Sequence, residues 1–452
     1  MKIKNKKFLT SPSDLNNFVS CKYLIQNDIK YLHKEIRRNE ESIDQKLWKE
    51  FGLKHEKKHF DLLKKYYKKN ISIKQDLTEE ERNKKTIEAI KKGYDLIYHA
   101  YLIDGDFRGE ADFLIKVNTS SDLGDFSYEV YDTKVSRKPK PRHIYQITAY
   151  SSMLSKIQGI LPLKMYLIDG ADITHQYKTK EFIDFYSFTK KNFDNYLKNI
   201  AKEKVYPEKC SHCNVCNYTE ECEKIWTEDN YINQVAKINR SQIDKLKKIG
   251  INTVKKLALT NPEKIKIKIN KQALKDRISQ AQLQEEKRET GKSKYIILDP
   301  DRGKGFYKLP EPDEGDLFFD IEGYPQEDGR GFEYLHGIYF KGQKDMEFKH
   351  FWAKDFKKKY EQENFIELIN FFKEHFKKYP KAHLYHYNSY EKRSLRQLAS
   401  LFSSDFPEGS NFVDTLLRGE KFVDLFLIIN QCVRTTEKDM SLKSIENVLY
   451  GF

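Results

Sequence analysis

Between Tyr128 and Leu154 the chain reads YEVYDTKVSRKPKPRHIYQITAYSSML, which commits it to a strand, a basic proline-broken loop and a helix in that order. Residues two apart on a strand point the same way, so Asp132 and Lys134 share one face and Glu129 takes the other. Some twenty residues earlier, FRGEADFLIKV reads as a second strand with Glu110 and Asp112 on one face. Asp112 is expected to meet the Asp132–Lys134 pair across a sheet. Carboxylates that share a site repel unless a cation lies between them, and Mg²⁺ takes one or two carboxylates together with substrate phosphates. The pattern therefore predicts a metal-dependent phosphodiesterase. The plain alternative is a surface ion pair, which a chain this rich in charge produces often.

The 452 residues suffice for two or three domains, and 82 Lys and Arg against 68 Asp and Glu leave a net charge of +14. An excess of that size favours polyanionic partners, nucleic acid first among them. No apolar run approaches the ~18 residues of a membrane helix. The opening MKIKNKKFLTSPSDL has lysines but no apolar core, so no secretory signal is expected and the protein is read as cytoplasmic.

From the start, Ser11 or Ser13 can cap a helix leading to Cys21. The segment QKLWKEFGLKHEKKHFDLLKKYY has helical spacing, with Trp48, Phe51, Leu53, Phe60 and Leu63 as a candidate buried face. His55 and His59 lie one turn apart on it, either as metal ligands or as solvated histidines of a lysine-rich helix. Residues 72–100 read as further helix. After the opening stretch, whose basic loop KVSRKPKPRH suits a phosphate backbone, Gln146 and Tyr150 share a helix face. A strand over 162–168 and a helix over 181–203 follow.

In YPEKCSHCNVCNYTEEC, Cys210, Cys213, Cys216 and Cys222 are spaced as C-x2-C-x2-C-x5-C. In a cytosolic chain such clustering points to metal, either a four-cysteine Zn²⁺ knuckle or an iron–sulfur cluster. With Cys21 there are five thiols for four places. Further on, residues 238–281 give short helices about a glycine turn, equally a nucleic-acid-binding hairpin or a helical linker. Residues 286–315, charged and rich in Gly and Pro, are a domain boundary. A second alternating stretch, DLFFDIEGYP, puts Asp320 and Glu322 on one face. AHLYHYNSYEKRSL adds Asn388 and Glu391, and KFVDLFLIINQCV adds Asp424 inside an apolar run, where a charge is costly without a partner. Asp320, Glu322, Glu391 and Asp424 could hold two Mg²⁺ ions about 3.5–4 Å apart, or be ordinary strand-edge acids.

In order and spacing, the first part resembles the RecB-like exonuclease domain of the PD-(D/E)XK superfamily. Gly52, His55 and Glu56 match its G-x-x-H-E helix, Asp112 its strand aspartate, Asp132 and Lys134 its D-x-K, and Gln146 to Tyr150 its Q-h-x-x-Y. Members with an iron–sulfur cluster use one cysteine before the nuclease core and C-x2-C-x5-C after it. That implies Cys21, Cys213, Cys216 and Cys222, with Cys210 left over. The whole chain is similar to bacterial RecB-like putative nucleases that add a helical hairpin and a ribonuclease H-like domain. F-F-D-I-E-G-Y-P, H-Y-N-S-Y-E, F-V-D-L-F and S-L-K-S-I-E stand close to that second domain's motifs.

The resemblance implies an α/β chain of a PD-(D/E)XK restriction-endonuclease-like domain (1–228), a small helix-hairpin-helix-like region (229–285), a linker (286–314) and a ribonuclease H-like α/β domain (315–452). That last domain is expected to be truncated, because a later Y-N-x-x-D segment does not precede Phe452. It implies that His55, Asp112 and Asp132 hold Mg²⁺ or Mn²⁺, that Lys134 orients the attacking water or offsets phosphoryl charge, and that Gln146 and Tyr150 support the site. The expected partner is DNA, single-stranded, cleaved exonucleolytically in repair or recombination, with a helicase as a candidate companion. The chain itself carries no G-x-x-x-x-G-K-[ST] phosphate loop. The rival readings are a non-catalytic nucleic-acid-binding scaffold and an RNA-directed nuclease.

Overall fold

A computed structural model describes residues 1–299, 301–324, 331–342 and 344–450. Pro325, which ends one of the motifs above, lies outside them. The chain divides into two compact units, Met1–Cys222 and a second that begins at Glu223 and runs towards the C-terminus.

In the first unit the short strands β1 (Lys2–Lys4) and β2 (Lys7–Leu9) form a hairpin before α1 (Pro12–Ser20), α2 (Lys22–Leu32), α3 (Ile43–Tyr66), β3 (Asn70–Ser72), α4 (Glu79–Lys91), β4 (Leu96–Asp104), β5 (Phe107–Val117), β6 (Ser127–Thr133), α5 (Pro141–Gln158), β7 (Lys164–Ile168), β8 (Thr174–Lys178) and α6 (Ile183–Lys198). Local chemistry sets the helix starts. Ser11 caps α1 and receives Asp14 in return, with Pro12 in the first turn, and Ser42 and Gln45 do the same for α3. Among the described residues the six strands β3-β4-β5-β6-β7-β8 lie side by side in that order, with β6 and β7 parallel and the neighbours on either side of that pair antiparallel.

Helices cover both faces of the sheet. Ile147, Tyr150 and Leu154 of α5 join Leu15 and Phe18 of α1 and Phe193 of α6 on one side, and Phe60 of α3 meets Leu96, Tyr98, Phe113 and Ile115 on the other. Two expectations change. Residues 96–100 belong to β4, because the apolar run LIYHAYLID is buried as a central strand. Trp48 and Leu53 are 42% and 61% exposed, so the buried stripe of α3 is carried by Phe60 and, in part, Leu63.

The boundary between units falls in α7 (Thr219–Glu228). In the second unit α8 (Arg240–Lys247) and α9 (Val254–Ala258) flank Gly250, whose φ of +81° suits glycine, and α10 (Lys271–Thr290) follows. The expected linker is partly ordered: α10 runs to Thr290, and β9 (Tyr295–Ile297) pairs antiparallel with β15 (Val433–Thr435). Between them come β10 (Leu317–Tyr324), β11 (Phe332–Lys341), β12 (Met346–Trp352), α11 (Lys358–Lys378), β13 (Leu384–His386), α12 (Tyr390–Leu401), α13 (Pro407–Arg418), β14 (Phe422–Asp424) and α14 (Leu425–Cys432), and α15 (Leu442–Tyr450) follows β15.

The main sheet of this unit has the order β12-β11-β10-β13-β14, antiparallel in its first three strands and parallel in the rest. Leu317, Phe319 and Ile321 face Phe365, Leu368 and Phe372 of α11, so the alternation leaves Phe318, Asp320 and Glu322 on the opposite face. There Phe318 stands in register with Tyr339 on one side and Tyr385 on the other, and Tyr339 with Phe348. Among the described residues no helix is long and apolar enough to cross a membrane.

Candidate active sites

In the first unit the middle of β5 and the end of β6 bring the acids together. The Asp112 carboxylate accepts the Thr133 backbone N–H and hydroxyl, each at 2.7 Å, which holds it beside the end of β6. Asp132 is fully buried, its Oδ1 has no hydrogen-bond partner, and the Lys134 ammonium closes on its other oxygen. Burial and the nearby Asp112 charge push the Asp132 carboxyl well above the usual carboxylate range. Lys134 pulls the other way, and Glu56 adds to the rise. Burial tends to lower the Lys134 amine, but Asp132 and Asp112 outweigh it and raise the amine overall. Glu56, on α3, is lifted by burial and by Asp112, and its Oε1 is buried without a hydrogen-bond partner.

His55 sits against Ile168, the residue of β7 in register with Thr133, and its Nε2 is buried and unpartnered. Its other nitrogen lies 4.0 Å from Asp172, which His59 also contacts at 2.9 Å. Among the described residues His55, His59 and Asp172 form a metal-competent group, with ligand atoms within 4.8 Å of one another, although Lys58 already holds Asp172 at 2.6 Å. Gln146 donates to the Tyr150 hydroxyl at 2.9 Å. Burial first, and then the Asp132 charge, raises that phenol.

Glu56, Asp112 and Asp132 are close enough for their carboxyls to repel one another, and such a group suits a cation. Among the described residues, the metal-competent group that includes His55 is the one with His59 and Asp172. Glu56 follows His55 directly in the G-x-x-H-E helix, and that adjacency is the sequence signal for it. Glu110, expected on one face with Asp112, is committed elsewhere. Burial would raise it, but His99, Arg82 and Gln75 hold it down at about 2.

Cys21, Cys210, Cys213, Cys216 and Cys222 all line one small cavity. Cys210, left over by the resemblance, is not set apart: its Sγ lies 3.9 Å from that of Cys213, and Cys21 also contacts it. Burial raises the Cys21 and Cys216 thiols, and Cys213 to about 11. An all-thiol set of this kind fits a thiolate-bound ion or cluster, which lowers such values by replacing the proton. Beside it, Tyr218 donates to Asp28 at 2.8 Å and Arg38 reaches the same oxygen at 2.6 Å, so the start of the chain is also tied down by hydrogen bonds.

In the second unit Asp320 is raised by burial and then by Glu391, with which it shares a hydrogen bond. Glu322 is raised by burial and by Asp320. His386 Nδ1 lies 3.3 Å from Glu391 and 2.5 Å from the Asn388 carbonyl, and His386 Nε2 is buried without a hydrogen-bond partner. His386 had no place among the expected site residues. Asp320, Glu322, Glu391 and Phe318 line one cavity of about 660 Å³ with Tyr339 and Tyr385. Asp424 is half-exposed and caps α14, accepting the backbone N–H of Leu427 at 3.0 Å and of Asn388 at 3.1 Å.

The RNase H superfamily model RNase_H_2 matches residues 317–452, from β10 through α15, including all four expected acids of this unit. The match marks an RNase H-fold domain and, with it, a nuclease-type, nucleic-acid-cleaving class of function. No curated protein matched the chain.

Proposed function

We propose that the protein is a divalent-metal-dependent nuclease of the RecB-like PD-(D/E)XK type, joined to an RNase H-like domain, that digests single-stranded DNA from an end. The observation that carries this reading is Asp132: a fully buried carboxylate with an unpartnered oxygen, pressed by Asp112 and Glu56 and answered by Lys134. His55 through Nε2, Glu56, Asp112 and Asp132 would hold the ion. A bound Mg²⁺ or Mn²⁺ supplies Lewis-acid activation of the scissile phosphate and of water. Lys134 offsets the charge that develops on the phosphoryl oxygens. Tyr150, fixed by Gln146, walls the site from the α5 side, and the basic loop after Lys134 receives the phosphate backbone. The thiol cluster, with iron–sulfur as the expected occupant and Zn²⁺ as the alternative, closes the first unit structurally.

A second reading rests on the Asp320–Glu391 contact and the superfamily match: cleavage belongs to the second unit. The rings of Phe318, Tyr339 and Tyr385 in the same cavity offer stacking faces for unpaired bases.

The test is Mg²⁺- or Mn²⁺-dependent digestion of end-labelled single-stranded DNA, with RNA of the same sequence in parallel. Asp132→Ala and Lys134→Ala should each lower the rate at least a hundredfold while DNA binding persists. Loss with Asp320→Ala instead assigns cleavage to the second unit, and binding without digestion by the parent assigns a scaffold.

A further inference from the structure

His99 is absent from every motif, yet it holds the most unusual backbone in the first sheet. It lies mid-strand in β4 with φ +59°, a left-handed conformation that a non-glycine residue adopts only at a steric cost. The register pairs on either side, Tyr98 with Phe113 and Ala100 with Ala111, keep the same offset, so no residue is inserted and His99 stands across from Asp112.

The side-chain alternation nevertheless reverses there. Leu96 and Tyr98 pack with Phe60 of α3, whereas Ala100 and Leu102 pack with the α5 side. On β5, Phe113 and Ile115 face α3, while Ala111 and Phe107 face the other way. Asp112 and His99 are thus the paired pivot at which both strands change face. Glycine or asparagine would adopt that backbone at less cost, so the imidazole calls for its own explanation.

Its contacts supply one. Nδ1 closes on Glu110, whose other oxygen is taken by Arg82 and which also accepts from Gln75 at 2.8 Å. Nε2 lies 3.5 Å from Glu56 Oε1, and the Tyr98 hydroxyl also donates to the Glu56 carboxylate. A carboxylate behind one ring nitrogen fixes the imidazole's orientation and leaves the other nitrogen to act on what lies ahead. Glu110 is the anchor, His99 the intermediary, and Glu56 the group presented to Asp112 and Asp132.

We propose that His99 is a positioning residue: backed by Glu110, it aims the Glu56 carboxylate at the divalent-ion site of the first unit. The proposal rests on the reading of that site given above. It assigns to His99 no contact with substrate.

The test uses the full chain with His99→Asn and His99→Gly, both of which tolerate the left-handed backbone, alongside Glu56→Gln, the double variant His99→Asn/Glu56→Gln, and Asp132→Ala as the control on the site itself. Mn²⁺ binding is measured by titration calorimetry without nucleic acid, thermal unfolding is followed, and kcat and KM are measured on single-stranded DNA. Each His99 variant should stay folded and bind Mn²⁺ about tenfold more weakly. Its kcat should fall by a similar factor with KM unchanged, and the double variant should be no worse than Glu56→Gln alone. Parent-level Mn²⁺ affinity in a folded His99 variant overturns the proposal, as does a loss that multiplies with that of Glu56→Gln. If His99→Asn fails to fold, His99→Gly decides. Should Asp132→Ala leave Mn²⁺ binding and cleavage intact, the nuclease reading of the first unit falls, and this proposal falls with it. Loss in Asp132→Ala with no effect at His99 overturns the positioning role alone.

Discussion

At the scale of single residues, burial decides which titratable groups matter. His336 on β11 is fully buried against Phe319, and neither ring nitrogen has a hydrogen-bond partner, so burial holds its pKa down at about 3 against 6.5 for a free imidazole. Between those values the unfolded chain carries a proton that the folded chain does not, so stability is full above pH 6.5 and falls as the pH drops towards 3. The loss is at most about 1.4 kcal/mol per pH unit from this group. His336→Leu should flatten that limb in urea melts taken from pH 7 down to pH 4, and a variant with the parent's slope would assign the acid sensitivity elsewhere. The same desolvation explains why Asp132 stands out, and there the sequence was informative, since D-T-K after an alternating run marks the pair directly. It was silent on His99, because nothing in LIYHAYLID distinguishes a left-handed histidine from an ordinary strand residue.

Among the elements, α14 separates capping from catalysis. Asp424 accepts the first-turn N–H of Leu427, and replacing such a cap by alanine costs about 1 kcal/mol, whereas asparagine keeps the bond. Asp424→Ala should therefore lower the urea midpoint and Asp424→Asn leave it nearly unchanged. If the carboxylate also serves the second site, both variants should lose whatever cleavage depends on Asp320. Full Asp320-dependent cleavage by Asp424→Asn would make the residue a cap and nothing more. The capping role of Asp424 was not legible in KFVDLFLIINQCV, whose apolar run hides the point where the chain turns from β14 into α14 and the aspartate becomes the turn's hydrogen-bond acceptor. The residues around Phe107 and Leu317 were legible as strands because their alternation follows a half-buried pleat. Residues 96–100 were not, because a strand covered on both faces loses its alternation and reads like a buried helix segment.

For the molecule as a whole, the cluster around Cys21 and residues 210–222 links the beginning of the first unit to its end. Protein purified without oxygen should carry iron, coloured and measurable by metal analysis, or else Zn²⁺. Cys21→Ser should release the metal and lower the melting temperature by several degrees while leaving the Asp28–Arg38–Tyr218 contacts to hold the chain start. A parent purified without metal, or Cys21→Ser with full metal content, would count against a shared ligand set. Which of the five thiols are ligands was not legible in spacing alone, since C-x2-C-x2-C permits more than one choice and the fold brings Cys210 among the others. The β9–β15 ribbon carries a different lesson, about excision. A fragment cut at Leu317 retains the five strands of the RNase H-like sheet but forfeits Tyr295–Ile297, and the backbone of Val433–Thr435 is then stripped of its hydrogen-bonding neighbour. Such a fragment exchanges a satisfied edge for an adhesive one, inviting self-association that the longer polypeptide is built to avoid.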